Sequence, residues 1–180
     1  EEMTVMLERC GVNHFSVASA FEAEEVFNCC SESSTIMIMG ILYDDDIPWA
    51  IDHGIEFYVY DYDRLPKVLE AAKAVGKKAI IHLEVETGTN RTGLSPEFFS
   101  QTIRWLKRHK DHVQFEGICT HLGGAENVSN EFKIYPQIKK FNEILRDLKK
   151  KKFMPRYRHI GCSAAALAYP ETRMDLVRIG

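Results

Sequence analysis

Ser163 and Arg178 are the residues of this chain whose types and spacing most directly suggest chemistry. Ser163 lies in a run of small residues, Gly161-Cys162-Ser163-Ala164, and Arg178 follows fifteen residues later. A Ser among small residues at a strand end suits a phosphate, because its hydroxyl and nearby backbone N–H groups can reach the oxygens. The plainer use of Ser163 is as a helix N-cap. Arg178, at the end of the next apolar run, can sit beside the same ligand, and His159 can hydrogen-bond it across neighbouring strands. Together these residues suggest a phosphorylated ligand at the mouth of a barrel.

A second group lies in "HLEVETGTNRTG", His82 to Gly93. In an extended strand His82, Glu84 and Glu86 point one way and Ile81, Leu83 and Val85 the other. Buried carboxylates are costly unless paired or ligated, and Arg91 in the following loop is the obvious partner. Either the network only supports the scaffold or the strand end orients Arg91 toward a ligand. His121, after Thr120, closes another apolar run, and a strand's C-terminal end is where barrel sites gather. Such a His can stack on a ring, ligate a metal or fill space. His82, Glu84, Glu86 and His121 also have the types of a metal site, though their spacing alone is weak evidence. Cys162 reads as a small filler, since no partner base is evident.

Seven strand-like runs must position these residues: 14–18, 34–40, 56–61, 79–86, 115–121, 156–161 and 174–179. They are rich in β-branched or aromatic residues, and turn residues bound most of them. Helical patterns separate them. Ser95-Pro96 reads as an N-cap and first-turn pair ahead of Phe99, Ile103 and Leu106. Asp63 can cap a helix carrying Val68, Leu69, Ala72 and Val75, which Gly76 ends. Ile134, Ile138, Phe141, Leu145 and Leu148 form an apolar stripe on another. This alternation predicts parallel strands with crossover helices. No Gly-rich dinucleotide fingerprint follows the first strand, which favours a (β/α)8 barrel over an open sheet. Seven strands are one short of eight, and the chain opens on a helical stretch, so the missing strand is expected before Glu1.

The 180 residues suffice for one domain with a real core. A net charge of −3 without a basic stripe argues against nucleic acid as a partner, and Lys149 to Lys152 reads as a solvated helix end. No apolar run approaches the roughly 20 residues of a membrane span. The five cysteines are odd in number and lack CxxC spacing, which fits reduced thiols and a cytoplasmic setting.

The segments "HFSVASAFEAEEV", "HLEVETGTNRTG", "GICTHLGGAEN" and "HIGCSAAALAYPETRMDLVRIG" together resemble the bacterial alanine racemases, pyridoxal-phosphate enzymes with an α/β barrel and a C-terminal β domain. They occur in family order over essentially all 180 residues. The resemblance implies racemisation of a small amino acid, with L-alanine to D-alanine for cell-wall synthesis expected first. Serine racemisation is the close alternative, and a non-catalytic pyridoxal-phosphate-binding barrel or a metal-dependent barrel hydrolase are further ones. It also implies a homodimer. Arg178 would face the cofactor's pyridine nitrogen, and His159 would hydrogen-bond Arg178. Ser163 and the Gly180 backbone would bind the phosphate of pyridoxal 5'-phosphate. His121 would pack against the ring. Arg91 would sit near the phenolic oxygen and the substrate carboxylate.

Three departures accompany the resemblance. Glu84 stands where many members carry a carbamylated Lys, and it supplies the same negative charge directly on a shorter arm. Cys162 replaces an Asn, and Ile179 replaces a Pro. No Lys here occupies the family's Schiff-base motif, and none of the seven Tyr matches its catalytic Tyr. The expectation is therefore a partial barrel, strands two to eight, over residues 1–180. The first strand and the C-terminal domain would lie outside it, and these residues alone would be inactive.

Overall fold

The computed structural model describes residues 2–180. Its strands and helices alternate: α1 (Glu2–Arg9), β1 (His14–Val17), α2 (Ala20–Phe27), β2 (Thr35–Ile38), α3 (Ile47–Asp52), β3 (Glu56–Val59), α4 (Arg64–Val75), β4 (Ala79–Glu84), α5 (Pro96–Arg108), β5 (Val113–Cys119), α6 (Glu131–Lys150), β6 (Tyr157–His159) and α7 (Ser163–Ala168). The strands are hydrogen-bonded in chain order, β1 to β6, and β1–β2, β2–β3 and β5–β6 are parallel. This is the expected α/β alternation.

The chain forms two compact units. The first comprises, of the described residues, 2–58, 63–81 and 109–114. Strands β2 and β3 are buried on both faces, as parallel strands covered by helices are, whereas β1 buries only Phe15. Ile36, Met37 and Ile38 of β2 and Phe57 of β3 are buried together with Leu65 and Val68 of α4. Local signals start and stop its helices. Ser19 is extended at the N-cap of α2 and accepts from the Glu22 N–H, while the Glu22 carboxylate accepts from the Ala18 N–H at 2.7 Å. Gly76 ends α4 in the left-handed conformation, as expected. Asp63 occupies the N-cap of α4 without a side-chain capping bond.

The second unit comprises residues 59–62, 82–108 and 115–180. Leu83, Ile118, Ile103, Leu106, Phe141 and Leu148 fill its core. The stripe on α6 faces inward as its spacing requires, although Leu145 stays half-exposed. In α5, Ser95 bonds the Glu97 carboxylate instead of a backbone N–H. Lys149 and Lys150 form the last turn of α6, the expected helix end.

One expected strand is missing. Residues 174–179 make only an isolated bridge, Cys162 to Arg178. Their backbone bonds to the preceding segment are Asp175 N to Arg158 O (3.0 Å) and Arg178 N to Gly161 O (2.9 Å). These lie three residues apart, where a ladder repeats every two. Arg158 also holds Asp175 through its side chain, with Nε at 2.6 Å and Nη2 at 2.8 Å. That fork fixes the segment beside β6 without a ladder, so six strands form among the described residues. Among the described residues, no helix is long and apolar enough to cross a membrane.

Candidate active site

Every candidate site residue belongs to the second unit. Arg178 is at its centre. Nη1 donates to His159 Nδ1 at 2.6 Å and to the His159 carbonyl at 3.1 Å, and Nη2 donates to the Thr120 carbonyl at 3.2 Å. The guanidinium is thus aimed by a ring nitrogen and two backbone carbonyls from neighbouring strand ends. The expected His159–Arg178 bond forms. Thr120 is itself fixed: it donates to the Val85 carbonyl at 2.7 Å and accepts from Thr87 at 2.8 Å.

Ser163 and Gly180 meet beside this Arg. Ser163 Oγ donates to the Gly180 carbonyl at 3.0 Å and accepts from the Gly180 N–H at 3.1 Å. Ser163 is the first residue of α7 and Cys162 holds the N-cap, so Ser163 is not that cap.

The expected Glu84–Arg91 ion pair is not what forms. Glu84 is buried and its carboxylate accepts from Thr92 Oγ1 at 3.1 Å. Arg91 lies exposed on the loop between β4 and α5, and its charge acts on Glu84 without a direct ion pair between them. The reason is the closure of that loop. Val85 bridges Leu94, with Leu94 N on the Glu84 carbonyl at 2.8 Å and Glu86 N on the Leu94 carbonyl at 3.1 Å. This tie lays the short Thr92 side chain over the carboxylate and leaves Arg91 at the rim. Glu86 turns back on its own loop and accepts from the Gly88 and Asn90 N–H groups.

Burial pushes the Glu84 carboxyl above the usual range, against the Thr92 bond and the nearby Arg91 and Arg178 charges, which pull it down. His121 sits at the rim, and its carbonyl accepts from Thr89 Oγ1. Partial burial, then the charges of Arg91 and Arg178, push its imidazole below the usual range. At neutral pH the neutral ring, an apolar face with one acceptor nitrogen, is therefore favoured.

The shift on Glu84 has a consequence for stability. Its carboxyl binds a proton more tightly folded than unfolded, so between the ordinary glutamate value and the raised one the folded state holds more protons. The contribution of this group is full below that window and is lost as pH rises through it. Glu84→Gln keeps the acceptor for Thr92 and removes the titration. Urea unfolding across that window should show a shallower decline with pH in the variant. Parallel curves would count against the assignment.

The four metal-type residues of the sequence do not assemble. Among the described residues, no group of three or more His, Cys, Asp or Glu side chains is arranged to hold a metal ion. His82 is taken up by His159, at 2.8 Å between ring nitrogens, and the two carboxylates by Thr92 and the loop backbone. Sequence reasoning overlooked this His82–His159 contact. Its signal is Gly117, a glycine inside β5, since glycine in a strand interior often marks a close approach.

Residues 1–180 match the family model described as alanine racemase, N-terminal domain. The chain is 32% identical over 176 residues to alanine racemase 1 of Clostridium acetobutylicum, covering 98% of this chain and 45% of that protein. It is 30% identical over 171 residues to the alanine racemase of Methanococcus maripaludis, covering 94% and 45%. It therefore spans less than half the length of these curated relatives. Among solved structures, alanine racemase of Clostridium difficile 630 superposes with a TM-score of 0.91 at 28% identity, over 99% of this chain and 46% of that one. The enzyme from the D-cycloserine producer Streptomyces lavendulae superposes with a TM-score of 0.87 at 29% identity, over 93% and 44%.

Proposed function

The chain belongs to the alanine racemase family through its N-terminal domain, and on that premise we propose that it is the barrel portion of a pyridoxal-phosphate-dependent enzyme interconverting L- and D-alanine. In this reading the complete barrel has eight strands, and β1 to β6 of this chain are six of them. A C-terminal domain, a homodimer, a cytoplasmic setting and a role in supplying D-alanine to the cell wall belong to the same proposal. The odd number of cysteines and their lack of CxxC spacing support a reducing compartment.

The observation that carries the reading is the Arg178 guanidinium, fixed by His159 beside the Ser163–Gly180 pair. The donor set fits a phosphorylated pyridine. Ser163 Oγ and the Gly180 N–H converge at one point, and Arg178 offers a cation that cannot surrender a proton to a ring nitrogen. Bound pyridoxal phosphate would supply an electron sink for the pair released when the substrate Cα–H bond breaks. Ser163 and the Gly180 backbone would hold the phosphate. Arg178 would face the ring nitrogen and leave it unprotonated, which would weaken the sink and disfavour side reactions. His121 would pack against the ring with its neutral imidazole. Arg91 would meet the phenolic oxygen and the substrate carboxylate, with the Glu84 charge acting on it at longer range. The two groups that take and return the Cα proton, one on each face, are assigned to a Lys and a partner-subunit Tyr outside these 180 residues.

Glu84→Gln in the full-length protein should lower kcat/KM by about tenfold, the scale of one negative charge removed from the field at Arg91 and Arg178. The reading itself is tested by loading the full-length protein with pyridoxal phosphate. Racemisation of L-alanine and of L-serine is then followed by chiral chromatography. Faster turnover of alanine is expected. Faster serine turnover would move the assignment to that substrate, cofactor binding without racemisation would indicate a carrier, and neither would overturn the proposal.

A further inference from the structure

Behind His159 lies a second buried imidazole. His82 and His159 are both fully buried, their ring centroids are 5.0 Å apart at 69°, and His82 Nδ1 lies 2.8 Å from His159 Nε2. Tyr157 stacks nearly parallel to the His82 ring, 10° between planes. The contact exists because residue 117 is glycine. A Cβ there would fall 2.0 Å from His82 Nδ1 and 2.5 Å from Cε1, far inside contact distance.

The order of these bonds fixes where the protons are. A guanidinium only donates, so His159 Nδ1, 2.6 Å from Arg178 Nη1, must be the bare acceptor. The remaining proton of a neutral His159 is then on Nε2, which donates to His82 Nδ1. His82 Nδ1 is bare in turn, and its proton is on Nε2. Without His82, His159 can carry its proton on either nitrogen. The Nδ1–H form presents a donor to a donor and drives Arg178 away.

We propose that His82 is a positioning residue: its Nδ1 holds His159 in the Nε2–H tautomer and so aims the Arg178 guanidinium, through a gap that Gly117 leaves open. This inference rests on the racemase reading for its kinetic consequence and not for its chemistry. His82→Phe keeps a ring of similar size and removes the acceptor. His82→Asn restores an acceptor oxygen near the position of Nδ1.

The test uses the full-length protein, first without cofactor. The nitrogen-15 shifts of the His159 ring should report a bare Nδ1 and a protonated Nε2 in the wild type. His82→Phe should show a mixture of tautomers and His82→Asn the wild-type pattern. In the loaded enzyme His82→Phe should lower kcat for alanine by about tenfold, the scale of one misplaced hydrogen bond, with little change in KM. His82→Asn should recover to within about threefold, which a purely structural role would not produce. A protonated Nδ1 on wild-type His159 overturns the proposal even if His82→Phe fails to fold. So does a His82→Phe variant with unchanged tautomer and rate. Correct tautomers in a protein that racemises nothing would sink the racemase reading and leave the positioning chain standing.

Discussion

Replacing Arg178 by alanine in the full-length protein should lower kcat/KM for alanine by about 10²–10³-fold, the range seen when one preorganised charged donor is removed from an active site. The effect combines two losses. The ring nitrogen of the proposed cofactor loses its cationic partner, and the site loses the side chain that ties His159 and the Thr120 carbonyl together. Removing a charged donor from these acceptors should also cost on the order of 2 kcal/mol of stability. Arg178→Lys separates the two losses. It keeps a positive charge but cannot reach His159 Nδ1 and the carbonyls at once with a planar fork. It should recover some stability and leave most of the kinetic defect. Steady-state racemisation with denaturant unfolding of the same samples checks both. An alanine variant with rates within threefold of wild type would remove Arg178 from the proposed role.

Much of this site was legible because it is built from local spacing. The alternation of His82, Glu84 and Glu86 with apolar neighbours placed polar side chains on one side of β4, and His82 and Glu84 are buried there. The His159–Arg178 bond was expected between two neighbouring strands, and it forms although residues 174–179 lie beside β6 without a ladder. What spacing could not show is competition among partners. Glu84 could have taken Arg91 by charge, yet the loop tie between Val85 and Leu94 delivers Thr92 instead. Residues 174–179 have the β-branched, apolar composition of a strand, but the fork from Arg158 to Asp175 and the early start of α7 leave them two backbone bonds. The His82–His159 contact joins residues 77 apart in sequence, and it depends on the absence of a side chain at residue 117. Patterns report which residues face the core. Which of two plausible partners wins is set by loop closure and by space.

Gly93→Ala should be among the most destabilising single substitutions in the second unit, costing about 3–5 kcal/mol. Two independent penalties meet there. Gly93 has φ of +117°, a conformation L residues rarely adopt, and a Cβ would lie 2.7 Å from Glu86 N and 2.8 Å from the Val85 carbonyl carbon. These are backbone atoms of the loop tie, so no rotamer change can relieve the clash. The loop must open, and opening it withdraws Thr92 from Glu84 and releases the segment that carries Arg91. The buried Glu84 carboxylate would then lack its hydrogen-bond donor, an added cost. Activity of the full-length enzyme should fall together with stability. Gly123→Ala is the control, because a Cβ there meets only Thr89 atoms at 3.6 Å or beyond, an ordinary contact. It should change stability by less than about 0.5 kcal/mol. Urea unfolding of the two variants beside wild type decides the matter. A Gly93→Ala cost below about 1 kcal/mol would mean that the loop accommodates a side chain and that its closure does not set the position of Arg91.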